Sequence, residues 1–349
     1  MSAAIVQQDE AAAQGFLLDD AEMKSLVRDL HRAHPAVYWS DLLLTCGFGW
    51  TAFGTAVVLR PFSPEMLVSM VIAVAALYRA LCFMHELTHQ SSRSLPGFET
   101  AWNWLVGFPL LMPSFVYLGV HQSHHRIGTY GTAQDPEYMP FASSRRMTTV
   151  FALESFFIPL ALALRFLVLT PLGLLSPRLH RWLVVYASSL TMNLKYRREA
   201  TPELLRLIRR DSSIVLLAWA ACAGLAATHV IPWRIFLVWL AVDSLISFIN
   251  TLRTLGAHGY ESDGEPLDRI GQLLDSIDTP GAFWTELWAP VGLRYHALHH
   301  YFPGIPYHNL REAYRRILTH IPVASAYKEM SSPSLQHSLR ELCRKGAGN

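Results

Sequence analysis

Four long apolar runs alternate along this chain with stretches dense in histidine, arginine and proline; they cover residues 42–59, 66–84, 213–231 and 233–249. Each approaches the roughly 20 helical residues that a hydrocarbon core demands. Pro61 and Pro64 break the first pair and Pro232 the second, so the pattern predicts two tight helical hairpins. One such run would suit a buried helix of a large soluble protein; two pairs predict membrane spans. Two further apolar stretches read differently. Residues 102–120 contain Pro109 and Pro113, and 156–175 carries Arg165 inside with Glu154 just before it. Both are expected to be interfacial or re-entrant helices covering the site. The alternative pairs 156–175 with 182–191 as a third hairpin, which leaves the parity of crossings unchanged. The expected fold is all-α and multi-pass, with four transmembrane helices and a cytoplasmic helical cap. It forms a single domain over 1–349, in which 1–38 is an N-terminal segment and 250–349 the cap and tail.

Composition agrees. The chain is 51% hydrophobic and 16% charged, against about 25% charged in soluble domains. Basic residues orient it: Arg60 and Arg234 lie at the hairpin tips, while Arg28, Arg32, Arg93, Arg197, Arg198, Arg206, Arg209, Arg210 and Arg253 lie at the opposite ends. Positive-inside placement puts both termini and the histidines on the cytoplasmic face of a membrane, most simply a bacterial inner membrane. Trp39 and Trp233 fall where interfacial anchors belong. Gln7, Gln8, Asp9 and Glu10 open the chain, with no apolar core before residue 40, so no secretory signal peptide is expected. A net charge of +2 gives no reason for nucleic-acid binding.

The chemistry lies in three histidine clusters: His85 and His89, then His121, His124 and His125, then His296, His299 and His300. Residues three and four apart share a helix face, so each cluster aims its imidazoles together. Eight imidazoles exceed the four ligands of one tetrahedral ion and suit two metal ions. Imidazole favours zinc, copper, iron or nickel. Cys46, Cys82, Cys222 and Cys343 are scattered, which argues against an iron–sulfur or blue-copper site. Only Glu86 and His89 satisfy the Glu-x-x-His spacing, so a carboxylate-bridged di-iron bundle is set aside.

The three boxes, His85-Glu-Leu-Thr-His89, His121-Gln-Ser-His124-His125 and His296-Ala-Leu-His299-His300, are similar to those of the membrane fatty acid desaturase and hydroxylase family. The resemblance runs from the first span to about residue 320 and includes Gly131-Thr-Ala-Gln-Asp135-Pro-Glu137 and Tyr301-Phe-Pro-Gly-Ile-Pro-Tyr-His-Asn-Leu310. It implies two non-haem iron ions, dioxygen as co-substrate, and oxidation of an unactivated C–H bond in a lipid or acyl chain. Desaturation is the first expectation; hydroxylation or ketolation of a lipid or isoprenoid is the alternative. The resemblance also implies a ninth ligand just past the last span, the place of His258, flanked by Gly256 and Gly259. Thr254 stands where stearoyl-type members put an asparagine, which puts a water-mediated tenth ligand in doubt.

Ring nitrogens turned away from a metal need partners, and Asp135, Glu137, Asp275 and Asp278 are the acids placed near the boxes. Helix capping and solvation are the competing roles for each. Asp243 lies inside the last span, where a carboxylate faces either a substrate group or a neighbouring helix. His31, His34, His180, His229, His320 and His337 read as structural, and His308 is the one possible addition to the site. Arg79 is expected to snorkel to the interface. Two rival functions remain: a zinc peptidase using His85-Glu86-Leu-Thr-His89 as an H-E-x-x-H motif, and a metal carrier. The chain has no His-Pro-Gly-Gly segment, no cysteine set and no dinucleotide-binding glycine motif. Electrons must therefore arrive from a separate ferredoxin, rubredoxin or cytochrome, with the arginines of 197–210 either its landing site or a contact for anionic membrane lipid.

Overall fold

The computed structural model describes residues 20–322 and 325–347, so the expectation for Gln7 to Glu10 lies outside the described residues. Among those residues there is no strand, only three isolated bridges between loops. Five helices are long and apolar enough to cross a membrane: α1 (Pro35–Val58), α2 (Pro64–His89), α3 (Arg145–Leu175), α4 (Pro202–Ala227) and α5 (Arg234–Leu255). The expectation was four, and α3 is the addition. Its starting points are legible in the sequence: Ser63 and Thr201 cap α2 and α4 through bonds from the Met66 and Leu204 amides, each followed by a first-turn proline. The two hairpin tips meet at the end remote from the histidines, where Arg234 donates to the Ala56 carbonyl.

Residues 98–118 dive between the spans and return. The prolines at 109 and 113 leave the Leu105 and Pro109 carbonyls without helical donors, beside a π-helical turn over Asn103–Gly107, while the Phe108 carbonyl keeps the Leu111 amide. Three indoles donate to this stretch: Trp50 to Leu105, Trp219 to Phe108 and Trp239 to Pro109, at 2.7–3.1 Å. Asn103 clasps the two limbs by accepting from the Ser114 amide and donating to its hydroxyl. Irregular backbone buried in protein at membrane depth is tolerated for this reason. The segment is an irregular, broken stretch and not a straight helix, as its prolines suggested.

α3 is different. It begins against the C-terminal tail, where the Arg145 amide donates to Gly346, and packs across α5 with Phe156 stacked on Phe248 at 4.3 Å. A π-helical turn at Leu164–Leu169 bends it. Helix Pro177–Tyr186 then folds back along it, and His180 in that helix bonds the carbonyl of Leu205, one turn into α4 at its histidine end. The helix that follows α3 thus reaches the start of α4. Its outward face, including Phe157, Leu160, Leu164, Val168, Leu172 and Leu175, is exposed and apolar. Length and composition permit a crossing; the contacts describe a helix lying along the bundle.

Beneath the histidines, Tyr38, Phe83, Phe98 and Tyr307 form edge-to-face and tilted ring pairs at 5.0–6.1 Å. Each such pair contributes roughly 0.5–1.5 kcal/mol beyond area burial. Through them α1 and α2 hold the segment that follows the third box. Arg79 forms a bidentate pair with Asp41 and reaches Glu286.

Candidate metal centre

Four pieces of backbone converge. α2 ends at His89 and presents His85 one turn earlier. Gly119, at φ 81°, turns the chain into the short helix Val120–His124, a conformation that favours glycine. Helix His296–Tyr301 carries the third box, its first amides anchored at Ala297 and Leu298 by the Asp278 carboxylate. His258 is set by a two-residue ladder in which Ile277 donates to Ala257 and Gly259 to Asp275. A β-carbon on Gly256 would fall 2.5 Å from Leu335 Cδ1, so a side chain in this turn would have to displace that leucine of the tail helix.

The clusters sort into two groups that cut across the boxes. His85, His89, His121, His125 and His299 bring five ring nitrogens within 4.8 Å of one another, and His124, His258 and His300 bring three. His296 joins the second group, its Nε2 being 2.9 Å from that of His258 and 3.2 Å from that of His300. His125 and His300 stack at 4.3 Å and link the groups. The structure therefore brings together all nine histidines named from the sequence.

Their chemistry fits metal. Burial pushes His121, His125, His258, His296, His299 and His300 well below the ordinary imidazole pKa, which keeps them neutral. Nε2 atoms face one another at 3.0 Å in His121 and His125 and at 3.2 Å in His89 and His299. Two nitrogens about 2.1 Å from one ion and at right angles stand roughly 3 Å apart. His124 spends Nδ1 on Asp135, leaving Nε2 buried with no protein partner.

The four acids do different work. Asp135 accepts from His124 Nδ1 at 2.9 Å, and Glu137 accepts from His121 Nδ1 at 3.0 Å. Burial opposes protonation of His124, but the Asp135 charge outweighs it and the pKa rises. Burial raises Glu137 to about 7. Asp275 reaches His258 indirectly: the Tyr130 hydroxyl donates to Asp275 and accepts from His258 Nδ1, both at 2.8 Å. Asp278 touches no imidazole; it holds backbone and the Tyr327 hydroxyl. The sequence reading missed Tyr117 and Tyr130. Tyr117 bonds both His121 and Glu137, and its place four residues before His121 was the available signal.

Other residues fall outside. Glu86, the base an H-E-x-x-H peptidase requires, accepts from the Tyr38 hydroxyl and the Tyr307 amide. It is committed to the aromatic layer, and a five-histidine group replaces the three-ligand zinc site that motif implies. His308 bonds Asn309 and the His34 amide, away from the centre. Thr254 donates to the Asn250 carbonyl within its own helix. Arg198 is unavailable for docking, being buried and donating to the Phe115 and Leu118 carbonyls.

A cavity of about 390 Å³ opens beside the first group, between α2, α3 and α5. His85, Tyr117 and Glu137 close one end, and Leu81, Met84, Met112, Ile158 and Leu162 give it an apolar wall.

A helical bundle with a polyhistidine centre beside a cavity of about 390 Å³ fits a membrane oxidoreductase. Residues 61–328 match the family model for fatty acid desaturases, and the chain belongs to that family. It is similar to a ceramide hydroxylase of Caulobacter vibrioides (strain NA1000 / CB15N), 39% identical over 324 residues that cover 92% of each chain.

Proposed function

We propose that this protein is a dioxygen-dependent di-iron hydroxylase of a ceramide-like lipid. The observation that carries the reading is the full-length similarity to a ceramide hydroxylase. Desaturation, the first expectation from the boxes, draws on the same oxidant and ligands; the relative favours hydroxylation. Two irons held by the nine histidines would supply the oxidising power that acid–base side chains lack. The net change inserts one oxygen atom of dioxygen into a C–H bond and reduces the other to water, consuming two electrons and two protons. Asp135, Glu137 and the Tyr130–Asp275 pair keep the imidazole Nε2 lone pairs facing inward. The apolar cavity wall excludes water and presents a methylene beside His85. Mass spectrometry of lipids from cells with and without the chain tests this. Ceramides one oxygen heavier support it; ceramides two hydrogens lighter return the reading to desaturation.

The four helices α1, α2, α4 and α5 cross the membrane, α3 lies in the interface, and the centre faces the cytoplasm. Cysteine reporters at Ser63, Arg178 and Gln336 decide this. Ser63 should label only from outside and the other two only from inside; outside labelling at Arg178 would make α3 a fifth span.

Electrons come from a separate acidic carrier of ferredoxin, rubredoxin or cytochrome type. Exposed Arg126, Lys195 and Arg197 surround a surface recess beside the second box, nearer the centre in sequence than Arg206, which pairs with Glu203. Reversing Arg126 and Lys195 to Glu should slow turnover with an acidic donor and flatten its salt dependence. Reversal of Arg206 and Arg209 should do neither.

A further inference from the structure

The cavity has one wall that its apolar side does not explain. Along α5, residues Ser247, Asn250, Thr251, Arg253 and Thr254 form a polar edge facing it. Arg253 is 8% exposed. Its Nη2 donates to the Asn250 side chain at 3.0 Å, yet its Nε is buried without any partner. The groups closest to the guanidinium are Tyr78, Cys82 and Tyr117, and Glu137 is the one carboxylate of the cavity that feels its charge, without an ion pair between them. Glu137, the acid in the same cavity, is committed to Tyr117 and His121. The Ser247 and Ser189 hydroxyls, which also line the cavity, are buried and unpartnered.

Burying a guanidinium without a counter-charge is costly unless its donors are satisfied. Arginine only donates, so its missing partner is an acceptor. No protein acceptor reaches Nε, the one carboxylate of the cavity is committed to Tyr117 and His121, and Arg253 lines the cavity where the proposed substrate lies. We propose that Arg253, oriented by Asn250, binds the amide carbonyl oxygen of the lipid substrate and thereby selects N-acylated lipids and fixes which methylene stands beside His85. The unpartnered serine hydroxyls then receive the hydroxyl groups of the same polar end. This rests on the ceramide-type substrate proposed above and adds the residue that recognises it.

The test is displacement of a fluorescent lipid from the purified, iron-loaded chain by three competitors: a ceramide, its neutral alkene isostere lacking the carbonyl, and a free long-chain acid. A hydrogen bond to a charged group implies that wild type prefers the ceramide to the isostere by roughly tenfold to a hundredfold. In Arg253→Met that ratio should collapse to near unity, and Arg253→Lys should recover part of it. Iron content confirms that each variant is folded. Wild type that fails to discriminate the two lipids overturns the inference even where no variant folds. An unchanged ratio in Arg253→Met overturns it too, as does a free acid that outcompetes the ceramide. Product analysis separates this from the proposed function: carbonyl discrimination without hydroxylated ceramide sinks the activity alone, and hydroxylated ceramide without discrimination sinks the role of Arg253 alone.

Discussion

The two histidine groups are held by different means. In the first, His85 and His89 are carried by the last turns of α2, and His85 has no hydrogen-bond partner on either ring nitrogen. A long helix packed on α1 does the positioning. In the second, His124 and His258 sit on a short helix and a loop, and buried acids fix their rings directly or through Tyr130. His85, on the rigid α2, needs no tether; His124 and His258 of the second group, and His121 of the first, sit on a short helix or a loop, and a hydrogen-bonded shell holds their rings. His121, His124 and His258 should therefore be the ligands that depend on residues outside the ligand set, two of them in the second group.

The strongest test of that contrast is His258→Ala. Turnover should be abolished and iron per purified chain should fall by about half, since the supporting shell cannot substitute for a ligand. His229→Ala, at a hairpin tip, is the matched control and should leave iron and turnover unchanged; wild-type iron in His258→Ala would remove it from the ligand set. Next comes the shell. Asp135→Asn should cost about 10–100-fold in metal affinity or activity, with Tyr130→Phe weaker in the same direction. Equal effects on both groups, measured by metal titration, would erase the contrast. Glu86→Gln tests the helix-borne group. It should retain both irons and keep activity within about tenfold of wild type, because Glu86 braces Tyr38 and Tyr307 and carries no proton for the reaction. Complete loss of activity with metal retained would restore it as a catalytic base.

The smallest effect concerns Asp278, which supports the third box through backbone alone. Burial raises its pKa from 3.8 to about 7. A carboxyl whose folded pKa lies above its unfolded value stabilises the fold fully below the unfolded pKa, and this contribution is lost as pH rises through the folded one. In the metal-free chain, the melting temperature of wild type relative to Asp278→Asn should fall by a few degrees, roughly, between pH 5 and pH 8. A pH-independent difference would show that Asp278 stays charged.

Much of this was legible before any coordinates. Helical periodicity and run length gave both hairpins, because an α-helix must satisfy its own backbone in lipid. The i, i+3 and i+4 spacings gave the boxes, because those positions share one face. Local rules carried that far and no farther. Hydropathy and length rate α3 as a span, but its contacts with the tail at Gly346 and with α5 through Phe156 were not legible from them. Four acids near the boxes looked equivalent, yet two meet imidazoles, one works through Tyr130 and one holds backbone. Arg253 read as a basic residue at a span end until its buried, unpartnered Nε placed it against the cavity. Sequence determined which elements form and which residue types carry the chemistry, since both depend on neighbours along the chain. Tertiary structure alone decided which acid meets which imidazole and which cation faces the cavity, because even acids 11 and 16 positions from their imidazoles are paired by the fold, the link through Tyr130 to Asp275 spans 145 positions, and hydrogen bonds form only within about 3 Å.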